Sequence, residues 1–328
     1  MTDQRGPAGA GSGRAGAGSG RAGAGGRGPV GMVGTGNMGG RMARRLVDAG
    51  YPVLAVDTEP ARITACGATA ADNLAELAVA CDVIMLSLPD SSVIEAVVRG
   101  ADGLRENARD GQIIVDLSTA NPASTRSLHG DLAARGVRFL DAGISGGAAA
   151  AEKGTLTLMV GGDAAALAAV RPMLETFSAH IHHMGASGAG HVTKVLNNFL
   201  NGVTLAATAE VMVAGKKAGL DLAQLLDVIN TSSGVSFASL NRFPRIIKGD
   251  YLEGGLTGRL MAKDVRLYLS LADDLGVTTL VGPGTYTSFE VSNALGYGDV
   301  ISNRVVDALG DLAGGVRVAD QAGPDGEE

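Results

Sequence analysis

Tryptophan is absent from the 328 residues, and Phe, Trp and Tyr together make up 3%. Stacking platforms for unpaired bases are therefore scarce, which argues against single-strand nucleic-acid binding. Positive charge is also in deficit, with a formal net charge of −7 at pH 7. The imbalance is uneven: residues 1–28 hold Arg5, Arg14, Arg21 and Arg27 against Asp3, a formal +3, so the remainder carries −10. An acidic body repels phosphate backbones over any distance that salt does not screen, so nucleic acid is not expected as a partner. Cysteine is rare too. Cys66 and Cys81 form no CxxC pair and no metal-type cluster, and two buried free thiols suit a reducing cytosol. Long apolar runs are missing: the N-terminus has no signal-peptide h-region, and the stretch Val203 to Gly215 is short and interrupted by Glu210. A soluble cytoplasmic protein without a membrane span is expected.

Glycine, by contrast, is abundant at 50 residues, and part of it is low-complexity sequence. GAGSGRA occurs at 9–15 and again at 16–22, followed by GAGGRG at 23–28. With no apolar side chain beyond Ala after Met1, residues 1–28 cannot offset their own ordering entropy, and a disordered leader is expected. From Pro29 the pattern changes. Short apolar runs at 30–34, 52–57, 82–88, 112–116, 137–141, 155–161 and 180–184 alternate with amphipathic stretches such as 38–49, 72–80, 122–134 and 164–177. Near-continuous apolar strands between helices predict a parallel sheet covered on both faces, doubly wound in the Rossmann manner. After Gly190 strand signals fade, and helices are predicted at 191–217, 221–230, 260–275, 283–295 and 301–312. The fold class is thus α/β: a dinucleotide-binding domain over 29–190, then an all-helical domain over 191–316. The acidic tail 317–328 is expected to fray.

The first strand runs into Gly34-Thr35-Gly36-Asn37-Met38-Gly39, a GxGxxG turn that opens a helix. Gly34 permits the tight turn, Gly36 admits a pyrophosphate to the backbone, and Gly39 lets helix and strand pack closely. In so glycine-rich a chain the motif alone reads equally as an ordinary turn. Context strengthens it. The strand Val53-Leu54-Ala55-Val56 ends at Asp57, eighteen positions after Gly39, where a carboxylate bonds the ribose hydroxyls of NAD and repels the 2′-phosphate of NADP. Thr58 and Glu59 follow, with no arginine at hand for a phosphate, so NAD is preferred to NADP.

Residues 31–46, GMVGTGNMGGRMARRL, begin a series of ordered motifs. Leu88-Pro89, Asp116-Leu117-Ser118-Thr119, FLDAGISGGAAAAEKGTLTLMVGG at 139–162, GAGHVTKVLNN at 188–198 and Lys263-Asp264 complete it. In that order they resemble the β-hydroxyacid dehydrogenase family over about 30–312. Two departures stand out: AGIS at 142–145 where APVS is common, and His191 where Gln is frequent. The resemblance implies that Gly34, Thr35, Gly36, Asn37, Met38, Gly39 and Asp57 hold the adenosine and pyrophosphate half of the cofactor. Leu88, Pro89 and Thr119 would line its nicotinamide half, and Lys263 would add a cationic contact. Ser145, Gly146 and Gly147 would grip the substrate carboxylate, Lys194 would be catalytic and Asn198 its partner. It further implies a dimer or tetramer acting on a small acid such as 3-hydroxyisobutyrate, with tartronate semialdehyde reduction as the alternative within the family.

The residues themselves leave more open. Ser145-Gly146-Gly147 offers a hydroxyl and unobstructed amides to a carboxylate, or is simply a glycine-rich turn. Lys194 and Asn198, four apart, share one face of a helix. Such a pair is by default exposed polarity, but Val192, Val195, Leu196 and Phe199 around it, and GASGAG before it, favour burial. A neutral lysine would accept the hydroxyl proton as hydride leaves for the nicotinamide, and the ammonium would return it in reduction. For that role burial and Lys263 must outweigh the substrate carboxylate in setting the amine's pKa. Rival readings are weaker. His180 and His182 share a strand face with His183 opposite, so the three do not converge on a metal. His129 and His191 have no partner signature. Imine reductases usually lack the lysine, and phosphogluconate dehydrogenases carry a larger helical region. A cofactor-sensing interaction protein, with the Arg-Gly leader as contact arm, should have lost Lys194.

Overall fold

Residues 27–319 are described by the computed structural model. The expected disordered leader, Arg27 and Gly28 apart, therefore lies outside the described residues, as does the acidic tail from residue 320. Among the described residues eight strands occur: β1 (Val30–Val33), β2 (Val53–Val56), β3 (Thr69–Ala70), β4 (Val83–Leu86), β5 (Ile113–Asp116), β6 (Arg138–Ser145), β7 (Leu156–Gly161) and β8 (Ser178–Gly185). They form one sheet in the order β3-β2-β1-β4-β5-β6-β7-β8. Helices α1 (Gly39–Asp48), α2 (Pro60–Ala65), α3 (Leu74–Ala80), α4 (Ser91–Arg99), α5 (Leu104–Asn107), α6 (Pro122–Ala133), α7 (Gly147–Lys153) and α8 (Ala164–Leu174) connect them. Both faces of the sheet are covered. Met32, Leu140 and Phe177 belong to one core and Ile84, Leu86 and Phe139 to another, which is why β1, β4 and β5 are apolar at nearly every position.

Two features depart from the expected pattern, one an added parallel strand and one a reversed strand. β3 is two exposed residues and carries no apolar run, so nothing in the sequence announces it. β7 runs antiparallel to β6, Ser145 opposite Thr157 and Asp141 opposite Gly161. The seven residues of α7 cover roughly 10 Å. That is too short to return the chain along an eight-residue strand of roughly 26 Å, as a parallel crossover requires. The turn at Ser145–Gly147 is thus a hairpin corner rather than a crossover start.

Beyond the sheet lie α9 (Ala189–Lys217), α10 (Leu222–Asn230), α11 (Phe237–Asn241), α12 (Phe243–Ile246), α13 (Gly258–Asp274), α14 (Gly282–Ser292) and α15 (Val305–Leu312), with a 3-10 turn at Ser302–Arg304. Phe243, Met261, Val265 and Phe289 centre their core, and α9 threads through it. The fraying expected from residue 317 does not start there. Arg317 pairs with Asp311 and Val318 is 1% exposed, packed on the helical core. An apolar side chain and an ion pair in this short stretch outweigh its polar composition. Among the described residues no helix is long and apolar enough to cross a membrane.

Candidate active site

The loop after β1 has the shape its glycines require. Gly34 sits at φ +87°, and a Cβ there would lie 2.4 Å from the Ser87 carbonyl oxygen. A Cβ on Gly39 would lie 2.0 Å from the Gly34 carbonyl oxygen, so α1 packs on β1 at backbone distance. A Cβ on Gly36 would meet nothing within 4 Å, leaving open space over the loop. No side chain caps α1; the Gly40 amide bonds the Gly36 carbonyl at 2.9 Å, and the positive dipole end stays available to an anion. Asn37 receives the Arg41 guanidinium on its carbonyl at 2.6 Å, and Met38 packs against the core below. This cradle fits the pyrophosphate of a dinucleotide.

Asp57, at the end of β2, closes the loop. One oxygen accepts from the Thr35 amide at 2.6 Å and hydroxyl at 3.0 Å, the other from the Glu59 amide at 2.9 Å. Burial alone would raise its carboxyl; the amides of Glu59 and Thr35, the Thr35 hydroxyl and Arg62 together hold it below the ordinary value. An arginine is at hand after all, contrary to the reading of 57–59 alone. Arg62 in α2 stands 3.8 Å from Asp57 and 2.7 Å from Glu59. Two carboxylates already engage it.

The loops after β4 and β5 meet beside this cradle. The Leu88 amide donates to the Ser118 hydroxyl at 2.9 Å, and the Ser118 amide donates to Asp116. The Lys263 ammonium bridges both loops from α13, donating to the carbonyls of Pro89 at 3.3 Å and Thr119 at 3.5 Å. Leu88, Pro89, Thr119 and Lys263 are thus brought together.

Lys194 is 8% exposed on α9. Its Nζ donates to Asn198 Oδ1 at 2.8 Å, and Asn198 Nδ2 donates to buried Asp264 on α13 at 2.5 Å. Asp264 in turn lies 3.3 Å from Lys263. Burial lowers the Lys194 amine to about 8; Asp264 opposes that shift and Lys263 assists it. The amine is therefore divided between base and acid forms near neutral pH, which a solvent-exposed lysine is not. Asp264 was legible only as the second letter of a motif, since its partner is 66 residues away.

Three glycines and an aspartate dock α9 on the sheet. A Cβ on Gly143 in β6 would lie 2.4 Å from Lys194 Cβ, and one on Gly190 would lie 2.4 Å from the carbonyl oxygens of Asp141 and Met159. A Cβ on Gly161 would lie 2.6 Å from Asp141 Oδ1. Fully buried Asp141 accepts from the amides of Gly188 at 2.7 Å and His191 at 2.8 Å, holding the first turn of α9. Ser145 follows Gly143 by two residues and so lies on the same face of β6. Gly146 and Gly147 follow at φ +125° and +70°, and nothing lies within 4 Å of a Cβ on Gly147. His191 does have partners. Its Nδ1 lies 2.7 Å from the Thr125 hydroxyl, and its Nε2 lies 4.0 Å from Asp116, whose carboxyl burial pushes up. The other histidines stand apart: His180 and His182 stack on β8, and His183 meets the Gly162 carbonyl.

Residues 29–185 match the family described as the NAD binding domain of 6-phosphogluconate dehydrogenase. Residues 188–308 match the one described as the NAD-binding of NADP-dependent 3-hydroxyisobutyrate dehydrogenase. A 2-(hydroxymethyl)glutarate dehydrogenase of Eubacterium barkeri is 34% identical over 87% of this chain and 96% of its own. The chain belongs to the β-hydroxyacid dehydrogenase family. A 3-hydroxyisobutyrate dehydrogenase of Pseudomonas aeruginosa is 36% identical over 77% of this chain and 88% of its own. The solved 3-hydroxyisobutyrate dehydrogenase of Mycobacterium tuberculosis with L-serine superposes with a TM-score of 0.79, at 29% identity over 86% of this chain and 99% of that one. As a β-hydroxyacid dehydrogenase the chain is an oxidoreductase with an NAD-binding domain and a small-molecule substrate.

Proposed function

We propose that the chain interconverts a small 3-hydroxy acid and its semialdehyde with NAD, and that Lys194 moves the hydroxyl proton. The observation that carries this is the buried Lys194 amine, lowered to about 8 and set against β6 two residues from Ser145. Names attached to the relatives narrow the substrate: 3-hydroxyisobutyrate, 2-(hydroxymethyl)glutarate and L-serine all contain HOCH2–CH–COO− and differ in the third substituent. In this reading Ser145, Gly146 and Gly147 bind the shared carboxylate, which leaves the hydroxymethyl group to Lys194. Bound NAD supplies the hydride acceptor at nicotinamide C4, or as NADH the donor. In oxidation neutral Lys194 takes the hydroxyl proton and becomes an ammonium, which Asn198 Oδ1 accepts a hydrogen bond from. In reduction that ammonium returns the proton to the forming alkoxide. Asp264 steadies Asn198, and Lys263 spans the loops of Pro89 and Thr119.

NAD is favoured over NADP because Asp57 would face the 2′-phosphate while Arg62 is engaged by Asp57 and Glu59. Residues 29–190 serve as the cofactor domain and 191–316 as the substrate and association domain. The helical half serves a homodimer or homotetramer in this reading, and buried, free Cys66 and Cys81 suit the cytoplasm. A turnover screen of the three acids with each cofactor tests the reading. At least one acid should reduce NAD, with kcat/KM about 10-fold or more above that with NADP. No turnover of any of the three, or a preference for NADP, would refute it.

A further inference from the structure

Arg242, between α11 and α12, holds a positive charge that no carboxylate among the described residues meets. Its Nη1 donates to Asn303 Oδ1 at 3.0 Å and its Nη2 to Asn201 Oδ1 at 2.9 Å; the Phe237 ring centroid is 5.6 Å away. All three partners are neutral. Burial alone pushes the guanidinium down to about 10, and no charged neighbour contributes. A cation taken out of water is costly unless an anion faces it. Two of its five N–H groups are used in these bonds, so three remain as donors.

Its position ties this charge to the site. Asn201 lies on α9 seven residues beyond Lys194 and three beyond Asn198, on the same helical face. The guanidinium is therefore anchored to the helix that carries Lys194, about one turn (~5 Å) past Asn198. Ser145–Gly147 and Lys194 account for two of the three groups on the substrate's central carbon. The third must point elsewhere, and α9 leads from Asn198, where the Lys194 amine is bonded, toward Arg242. An arm of two methylenes is long enough to cover about one helical turn.

We propose that Arg242 binds a carboxylate on that third substituent, so that the chain prefers dicarboxylic acids of the form HOCH2–CH(R)–COO− with an acidic R. This rests on the reading that Lys194 and Ser145–Gly147 form the reaction centre. A planar guanidinium pairs with a carboxylate through two parallel hydrogen bonds, which a methyl or ammonium group cannot replace. Asn201 and Asn303 orient the fork without neutralising it.

Two acids with the same reacting carbon test the assignment: 2-(hydroxymethyl)glutarate, with R carboxyethyl, and 3-hydroxyisobutyrate, with R methyl. The wild type should favour the first in kcat/KM by about 10-fold or more, and Arg242→Gln should lower that ratio about 100-fold, with Arg242→Lys intermediate. Glutarate should also raise the melting temperature of the NAD-loaded wild type more than butyrate does, and this difference should vanish in Arg242→Gln. A wild type that favours 3-hydroxyisobutyrate would overturn the proposal. So would a ratio unchanged within about threefold in a less stable Arg242→Gln, the mark of a merely structural arginine. If neither acid is oxidised, the reaction centre has been misread, and the glutarate difference still decides the role of Arg242.

Discussion

Lys194→Met is expected to lower kcat about 1000-fold or more in both directions while leaving NAD affinity within about threefold. Methionine keeps the length and apolar volume of the side chain and removes only the amine. Asn198 loses its 2.8 Å donor but keeps the Asn197 amide at 3.3 Å and its own bond to Asp264. The loop at Gly34–Gly39 is untouched, so calorimetric titration with NAD should separate proton transfer from cofactor binding. The variant should fold, because a buried amine with a lowered pKa is not what stabilises α9. Near-wild-type kcat in Lys194→Met would remove the lysine from the chemistry.

Gly143→Val is expected to be the second most damaging substitution. The new Cβ would lie 2.4 Å from Lys194 Cβ and 3.0 Å from its Cγ, with the Gly190 carbonyl oxygen at 3.3 Å. Gly143 is buried in β6, and Asp141 on the same strand holds the first turn of α9, so neither side yields easily. Overpacking of this kind costs about 1–3 kcal/mol of stability. A displacement of the amine by about 1 Å would lower kcat about 100-fold. Because Gly143 is remote in sequence from the Gly34–Gly39 loop, KM for NAD should change far less than kcat. Equal losses in both, or none, would show that β6 does not set the lysine.

The same position shows where sequence reading succeeds and where it stops. AGIS at 142–145 is visible as a departure from the common family form, but its consequence is not, because Lys194 lies about fifty positions away in the chain. Features whose physics is local are legible. The GxGxxG turn depends on backbone conformation and close approach within six residues, and Lys194 and Asn198 are joined by the period of one helix. Asp57 is legible as a strand end, yet Arg62 is not legible as its neighbour, because α2 turns the guanidinium back over the strand. Asp116 and Asp141 sit inside apolar strands, a signal that an aspartate there has a buried task, but the amides that occupy Asp141 come from the far side of β7 and β8. His191 has no partner signature in the sequence because Thr125 is 66 residues away. The antiparallel return of β7 follows from the short α7, a geometric limit that apolar periodicity does not carry.

The central claim is that a buried amine exchanges the hydroxyl proton, and a pH–rate profile in both directions tests it most directly. With the free enzyme's amine at about 8, kcat/KM for hydroxy-acid oxidation should climb with pH and level off above that value, since only neutral Lys194 accepts a proton. For semialdehyde reduction kcat/KM should be level below it and fall above it, since only the ammonium donates. Profiles that are flat through this range, or that rise with pH in both directions, would contradict proton transfer by Lys194.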